Sequence, residues 1–183
     1  MDEQQKATQF TGDEFLKVSE IAESFLKRGV SENPPKFVIF MGGVGAGKTT
    51  IRKQQFGKGY VHFEFGEIYT AVKKAFGEND PKLTSYSALA CDLILRESFE
   101  KKKNIVTEII GENYDLITPM IDWLKDAGYE ISVTAITCDI VEAYKRHLQA
   151  VQENPDYLSA AHTQEATMSA FYHQLGLGDM PAS

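Results

Sequence analysis

Apolar and polar positions follow two different periods along the chain, and each change of period predicts a change of secondary structure. A continuous apolar run predicts a buried strand at residues 37–41, and segments rich in β-branched and aromatic residues predict strands at 60–65, 104–109 and 130–136. Apolar residues three or four positions apart predict helices at residues 67–76, 84–102, 114–127, 139–151 and 163–175, and a further helix is predicted at 49–55, after the first strand. This alternation predicts an α/β fold: a doubly wound parallel sheet of four to five strands with helices on both faces.

Local signals mark several helix ends. Thr11 and Glu14 have the spacing of a capping box, and they predict an N-terminal helix over residues 11–28 whose wide apolar stripe packs on the core. Asp139 is in position to cap the helix that follows the fourth strand. We expect Pro119 to disturb the helix at 114–127, because proline lacks an amide hydrogen.

The domain organisation follows from this pattern. Residues 1–9 are polar and predict a flexible N-terminus, and residues 10–183 predict a single domain. Within it we expect the N-terminal helix, a core over 36–138, and a separate region of late helices over 139–175.

Composition narrows the function classes. The chain has 183 residues, a net charge of −7 and a pI near 5.1, which disfavours binding to nucleic acid or to an anionic membrane surface. It has no signal-peptide core and no apolar run that could span a bilayer, so we expect a cytoplasmic protein; secretion without a cleaved signal stays open. Cys91 and Cys138 both lie in apolar stretches and are predicted to be buried, unpaired thiols.

The strongest chemical signal is a glycine-rich loop between the first strand and its helix. It fits the Walker A pattern Gly-x-x-x-x-Gly-Lys-Thr, in which backbone amides and a helix N-terminus surround phosphate oxygens. Lys48 would reach the β- and γ-phosphates, and the Thr49 hydroxyl would ligate Mg²⁺. The alternative is a glycine turn that binds nothing. The loop predicts binding of ATP with Mg²⁺ by Gly42, Gly43, Val44, Gly45, Ala46, Gly47, Lys48, Thr49 and Thr50.

A P-loop protein of this size that lacks a guanine-reading Asn-Lys-x-Asp motif is most often a small-molecule kinase. Such an enzyme needs a carboxylate near the acceptor hydroxyl and a cationic lid. Glu64 and Glu67, at the end of the second strand, are candidate bases, because ligands bind at the carboxyl ends of parallel strands. The alternative is that they belong to a solvated strand end, or that a glutamate in the first turn of the next helix interacts favourably with the helix dipole. Glu108 ends the third strand, where we expect Mg²⁺ or its water shell to be its partner.

Arg146 lies in the middle of the helix after the fourth strand. One interpretation is a lid cation that stabilises charge on the transferred phosphoryl group, which makes 139–175 the lid region. The other is an ordinary solvated helix face. The histidines at positions 62, 147, 162 and 173 show no spacing typical of a metal site.

In these motifs the chain resembles the zeta toxins, P-loop kinases of bacterial toxin–antitoxin systems. The resemblance runs from about Phe10 to Leu175. It is carried in order by Phe10-Thr11-x-x-x-Phe15, the Met41 to Thr49 loop, Leu83-Thr84-Ser85-Tyr86-Ser87, Val106-Thr107-Glu108, Ala127-Gly128-Tyr129-Glu130 and Arg146.

The resemblance implies phosphoryl transfer from ATP to a sugar hydroxyl of a UDP-N-acetyl amino sugar, which depletes a cell-wall precursor. It also implies a small helical antitoxin that covers the nucleotide site. By the family pattern Lys48, Thr49, Glu108 and Arg146 keep their roles. The family's catalytic aspartate falls on Gly66, and its second lid arginine is replaced by the segment 160–162, where His162 is the one basic side chain.

These departures leave two other functions open. One is a P-loop kinase for another small hydroxyl acceptor, such as a nucleoside or an antibiotic. The other is an ATP-binding pseudo-kinase or interaction module that transfers nothing.

Overall fold

The computed structural model describes residues 10–111, 114–153 and 160–178, and the predictions for 1–9 lie outside these ranges. Its sheet has four parallel strands in the order β2-β3-β1-β4, as the strand–helix alternation predicts. The strands are β1 (Lys36–Met41), β2 (Val61–Phe63), β3 (Ile105–Ile109) and β4 (Glu130–Ala135). The helices are α1 (Gly12–Leu26), α2 (Lys48–Gln55), α3 (Phe65–Phe76), α4 (Leu83–Glu100), α5 (Tyr114–Asp126), α6 (Ile140–Glu153) and α7 (Ala160–Gln174).

The strand before the glycine-rich loop, β1, is buried on both faces of the sheet. Phe37 and Ile39 join the larger core cluster, to which α1, α3, α4, α5 and α7 contribute. Val38 and Phe40 point to the opposite face of the sheet. There they pack against a residue of α2 and against residues that follow α2 in the chain. Because helices cover both faces, the sheet is doubly wound. No helix in the described ranges is both long and apolar enough to cross a bilayer.

The N-terminal helix packs on the core, as its apolar stripe predicts. Its capping box is formed: the Thr11 amide donates to Glu14 Oε2 at 2.7 Å, and the Glu14 amide donates to Thr11 Oγ1 at 3.2 Å. Glu14 also accepts from the Tyr86 hydroxyl at 2.5 Å and from Lys82 on the α4 side. These hydrogen bonds, from Tyr86 first, lower the pKa of Glu14 to about 2. One carboxylate thus caps α1 and fastens it to α4.

Three predictions of local structure are wrong. The second strand ends at Phe63, because Glu64 turns its carboxylate onto the first amides of α3. Helix α5 continues through Pro119; the Asp115 carbonyl that proline cannot bond lies 3.5 Å from the Tyr172 hydroxyl of α7. Cys91 is buried, but Cys138 is exposed in the loop after β4, with its thiol 3.9 Å from the Gly45 carbonyl.

The end of α1 approaches the sheet so closely that it requires glycine. A Cβ on Gly29 would lie 2.5 Å from Val61 Cγ2 and 2.9 Å from the Val61 amide nitrogen. Contacts this short with backbone are not relieved by a side-chain rotation, so α1 and β2 would have to separate.

We therefore expect Gly29→Ala to lower the free energy of unfolding by about 1–3 kcal/mol. Gly12→Ala is the matched control, since no atom lies within 4 Å of its Cβ position. That variant should be neutral or more stable, because alanine favours the helix. Urea unfolding of both variants measures the difference in stability. Equal unfolding midpoints would contradict the close approach of Gly29 to Val61.

Candidate active site

The glycine-rich loop leads directly into the N-terminus of α2, and residues 44–50 of the loop and helix line a cleft. Gly45 and Gly47 have φ values of 72° and 95°, in the left-handed region that favours glycine. Gly47 is the N-cap of α2, and no side chain caps this end. The first amides of a helix have no acceptor within it. This uncapped N-terminus is therefore suited to an anion with several oxygens.

Lys48 lies across its own loop. Its ammonium donates to the Gly42 carbonyl at 2.6 Å and to the Gly43 carbonyl at 2.9 Å. Burial lowers the pKa of Lys48, while the charge of Glu108 opposes that shift. Gly42 and Gly43 thus hold the lysine rather than line the cleft, and the other loop residues, 44–50, line it.

The side chains of Glu108 and Thr49, the two predicted metal ligands, meet beside the loop. In the sheet Glu108 pairs with Phe40 of β1, and its Oε2 accepts from the Thr49 hydroxyl at 2.9 Å. The expected partner of Glu108 was Mg²⁺ or its water, but the structure supplies a protein partner. Arg52 Nε donates to Glu108 Oε1 at 2.5 Å, and the Arg52 side chain is fully buried.

Arg52 joins the two sides of the site. Its Nη2 donates to Glu67 Oε1 at 2.9 Å, and its Nη1 lies 2.5 Å from His62 Nδ1. Burial disfavours the charged guanidinium, but Glu108 and Glu67 outweigh this effect and raise the pKa of Arg52. Since Arg52 can only donate, His62 Nδ1 must accept, so His62 carries its proton on Nε2 and donates it to the Phe56 carbonyl at 2.6 Å. Burial lowers the pKa of His62, which agrees with this neutral form.

Glu64 and Glu67 are close in sequence but differ in environment. Glu64 lines the cleft and accepts from the amides of Gly66 and Glu67, at 3.0 and 2.9 Å; its pKa is raised, chiefly by burial. Burial would also raise the pKa of Glu67, but Arg52 and then Lys53, 3.0 Å away, outweigh it and lower that pKa to about 2. The two carboxylates therefore differ in their affinity for a proton.

The predicted lid region contributes Arg146 to the same cleft. Its Nη1 lies 3.9 Å from the Cβ position of Gly47, and its Nε forms an ion pair with Glu142 at 3.2 Å. From α7 the cleft is lined by Thr163 and Gln164, and the Gln164 side chain accepts from the Ile110 amide. His162 does not line the cleft; its ring packs on Phe65 with centroids 5.8 Å apart.

The loop residues 44–50, the three carboxylates Glu64, Glu67 and Glu108, and Arg146 line one open cleft of about 830 Å³. These residues lie in separate segments of the sequence, and the fold brings them together. A protein-family model described as zeta toxin matches residues 22–170. The chain belongs to the zeta toxin family. No curated protein matches the sequence at a significant level.

Solved structures share the fold of this zeta toxin family chain at low identity. One is from the PezAT chromosomal toxin–antitoxin system of the human pathogen Streptococcus pneumoniae, with 19% identity, a TM-score of 0.59, and 79% of this chain and 65% of that chain covered. Another is AvrRxo1-ORF1 with AvrRxo1-ORF2 and ATP, with 15% identity, a TM-score of 0.51, and coverage of 86% and 52%. A third belongs to the Pnkp1/Rnl/Hen1 RNA repair complex, with 14% identity, a TM-score of 0.52, and coverage of 80% and 47%.

This zeta toxin family chain spans less than two thirds of the length of each of these three structures. At such identities the likeness establishes the fold alone.

Sequence reasoning missed several residues of this zeta toxin family site, above all Arg52. One signal was available: Arg52 follows Lys48 by four positions, so it lies on the same side of α2, and a carboxylate at the end of a buried strand needs a cation. Arg28, Lys53 and Thr70 also line the cleft, and only their position in the fold brings them there.

We expect Arg52→Met to destabilise the protein by about 3–5 kcal/mol, because it leaves Glu67 and the nearly buried Glu108 without their cation. Arg96→Met on the exposed side of α4 is the control and should change stability by less than about 0.5 kcal/mol. Urea unfolding of both variants tests this, and similar stabilities would show that Arg52 does not hold the site together.

Proposed function

We propose that this protein is an ATP- and Mg²⁺-dependent kinase that transfers the γ-phosphoryl group to a hydroxyl of a UDP-N-acetyl amino sugar. The observation that carries the proposal is the convergence of Lys48, the Thr49–Glu108 pair, Arg146 and Glu64 on one cleft. These are a phosphate cradle, a candidate metal pair, a lid cation and a carboxylate, the groups that phosphoryl transfer requires.

The residues beside the loop fit ATP and Mg²⁺. The uncapped N-terminus of α2 and Lys48 would hold the β- and γ-phosphates. Thr49 Oγ1 and Glu108 Oε2 are oxygen donors 2.9 Å apart, and Arg52 fixes the other Glu108 oxygen. When bound, Mg²⁺ supplies charge that offsets the phosphate oxygens. Across the described residues no three His, Cys, Asp or Glu side chains gather as a metal cage, so its remaining ligands would be phosphates and water.

Glu64 is the better candidate for the base that receives the proton of the acceptor hydroxyl. It lines the cleft, and its raised pKa favours taking up a proton. Glu67 has a pKa of about 2 and is held by Arg52 and Lys53, so it accepts a proton poorly. In this arrangement Glu67 positions Arg52, and Glu64 does the acid–base work.

Arg146 lies above the N-terminal end of α2, where charge on a transferred phosphoryl group would develop. A guanidinium there stabilises that charge in the transition state. We propose residues 139–175 as the lid that carries it, within a single domain over 10–183. Zeta toxin family membership supports the sugar nucleotide as acceptor, and the cleft is in the size range of small-molecule sites. We expect the activity in the cytoplasm, where it would consume a cell-wall precursor and be toxic.

One observation favours a second candidate, an ATP-binding pseudo-kinase. Gly66 stands where the resemblance places the catalytic aspartate, and both Glu64 oxygens already accept backbone amides. If these bonds hold Glu64 away from the acceptor, the phosphate loop binds ATP and nothing is transferred.

A helical antitoxin is the proposed protein partner. The support is the family, and the solved relative from a toxin–antitoxin system. Such a partner would cover the nucleotide cleft and block the loop at 42–49.

The test is incubation with ATP, Mg²⁺ and a panel of UDP-sugars, nucleosides and aminoglycosides, followed by detection of acceptor-dependent phosphate transfer. We expect transfer to UDP-N-acetylhexosamines and its loss in Lys48→Ala, because the phosphates lose their cation. Lys58→Ala, an exposed lysine outside the cleft, is the matched control. Transfer to another acceptor would replace the sugar assignment. Tight ATP binding without any transfer would support the pseudo-kinase.

The two carboxylates give a further prediction. Glu64→Gln should slow transfer by ~10²-fold or more, the typical contribution of a general base. Because only the deprotonated form accepts a proton, wild-type kcat should rise with pH through a pKa above 4.5, and Glu64→Gln should abolish this rise. Glu67→Gln should keep the rise, and its main cost should be stability. An unchanged pH profile in Glu64→Gln would remove Glu64 from the role.

A further inference from the structure

A histidine lies inside the sheet, in a strand that is otherwise apolar. In β2, Val61 and Phe63 are fully buried, and His62 between them is only 4% exposed. Side chains alternate along a strand, so His62 points to the opposite face of the sheet, where it contacts α2 and the residue after it. A polar ring is costly to bury unless its nitrogens are hydrogen-bonded. The surroundings of α2 meet this requirement for both ring nitrogens of His62.

The two contacts of His62 hold the C-terminal part of α2. Its Nδ1 accepts from Arg52 Nη1 at 2.5 Å, and its Nε2 donates to the carbonyl of Phe56, the C-cap of the helix, at 2.6 Å. Lys48, in the phosphate loop, is the first residue of the same eight-residue helix. At 1.5 Å per residue this helix is about 12 Å long. His62 thus acts on the end of α2 that is remote from the phosphate loop.

The guanidinium of Arg52 is bonded through each of its three nitrogens. Its Nε donates to Glu108, its Nη2 to Glu67 and its Nη1 to His62. A guanidinium is planar and can only donate, so acceptors in three directions fix its orientation. Without the acceptor on His62, a buried N–H of Arg52 would lack a partner, which is costly. The guanidinium would then turn out of the plane in which it meets both carboxylates.

The orientation of Arg52 bears directly on the candidate metal pair. Arg52 Nε binds Glu108 Oε1, and Glu108 Oε2 accepts from Thr49 Oγ1 at 2.9 Å. The two oxygens of a carboxylate are rigidly joined, so holding the first fixes the direction of the second. Hydrogen-bond partners that orient a metal ligand typically contribute about 10- to 100-fold to metal affinity.

We propose that His62 is a positioning residue for this pair: as an acceptor it fixes Arg52, and through Arg52 it keeps Glu108 Oε2 beside Thr49, where Mg²⁺ would bind. This rests on the proposed binding of ATP with Mg²⁺ and deepens it. Burial lowers the pKa of His62, which favours the neutral ring that can accept. The polar residue inside β2 thereby has a reason that packing alone does not give.

Two substitutions separate the two nitrogens of the ring. The amide oxygen of His62→Asn lies near the position of Nδ1 and can still accept from Arg52. The longer side chain of His62→Gln reaches the position of Nε2 and can still donate to Phe56, but it leaves Arg52 Nη1 without an acceptor. Each variant keeps one of the two hydrogen bonds, so a general loss of packing affects both. His173→Gln, an exposed histidine outside the cleft, is the matched control.

Calorimetry measures the affinity for a non-hydrolysable ATP analogue in excess EDTA and in saturating Mg²⁺, and the ratio gives the contribution of the metal. We expect His62→Gln to lower this ratio by about tenfold or more, and His62→Asn to keep most of it. The affinity without Mg²⁺ should be similar in all variants, because the phosphate loop is unchanged. NMR of the ring nitrogens of the wild type should show His62 with its proton on Nε2.

Four outcomes overturn the proposal. An equal loss in both His62 variants that follows thermal stability would give His62 only a packing role. An unchanged ratio in His62→Gln would show that Arg52 keeps its orientation without this acceptor. A wild-type ring with its proton on Nδ1 would exclude the acceptor role. A wild-type affinity that Mg²⁺ does not raise would remove the metal pair itself. None of these measurements requires transfer, so the proposal is decided even for a protein that transfers no phosphate.

Discussion

The buried guanidinium of Arg52 is the interaction on which the rest of the cleft depends. A buried charge is costly unless its partners are close and well oriented, and Arg52 has three: Glu108 on β3, Glu67 on α3 and the neutral ring of His62 on β2. Arg52 itself belongs to α2, so one side chain links four elements. The α2 side of the cleft therefore cannot shift relative to the α3 side without exposing an uncompensated charge.

This link also explains how two carboxylates three residues apart acquire different pKa values. Glu67 is bound by Arg52 and Lys53 and stays ionised, with a pKa of about 2. Glu64 is bound by backbone amides in a buried position, and its pKa is raised. When the pKa values of two neighbouring carboxylates are shifted apart, one of the two is generally better suited to acid–base catalysis. Here the difference in pKa arises because Arg52 contacts Glu67.

The sequence predicts the parts of this molecule that depend on local spacing. The α/β fold, the phosphate loop, the α1 capping box and the place of Glu108 beside β1 all follow from short motifs and periodicity. The contacts of Arg52 do not, because they join residues 10 to 56 positions apart. Glu64 was assigned to a strand because its neighbours are apolar, whereas its capping bonds to α3 decide its structure. Cys138 was expected to be buried because of its neighbours, yet its loop lies at the surface.

Lys48 donates to two carbonyls of its own loop, Gly42 and Gly43. An arriving ligand must therefore replace two good acceptors before it gains anything from this ammonium. Affinity is then a difference between two sets of bonds, and a ligand with one or two oxygens gains little. A polyphosphate gains more, because it also meets the first amides of α2, which have no acceptor within the helix and no side-chain cap. The loop thus selects its ligand by the number of oxygen atoms it offers, and the abundant small anions of the cell compete poorly.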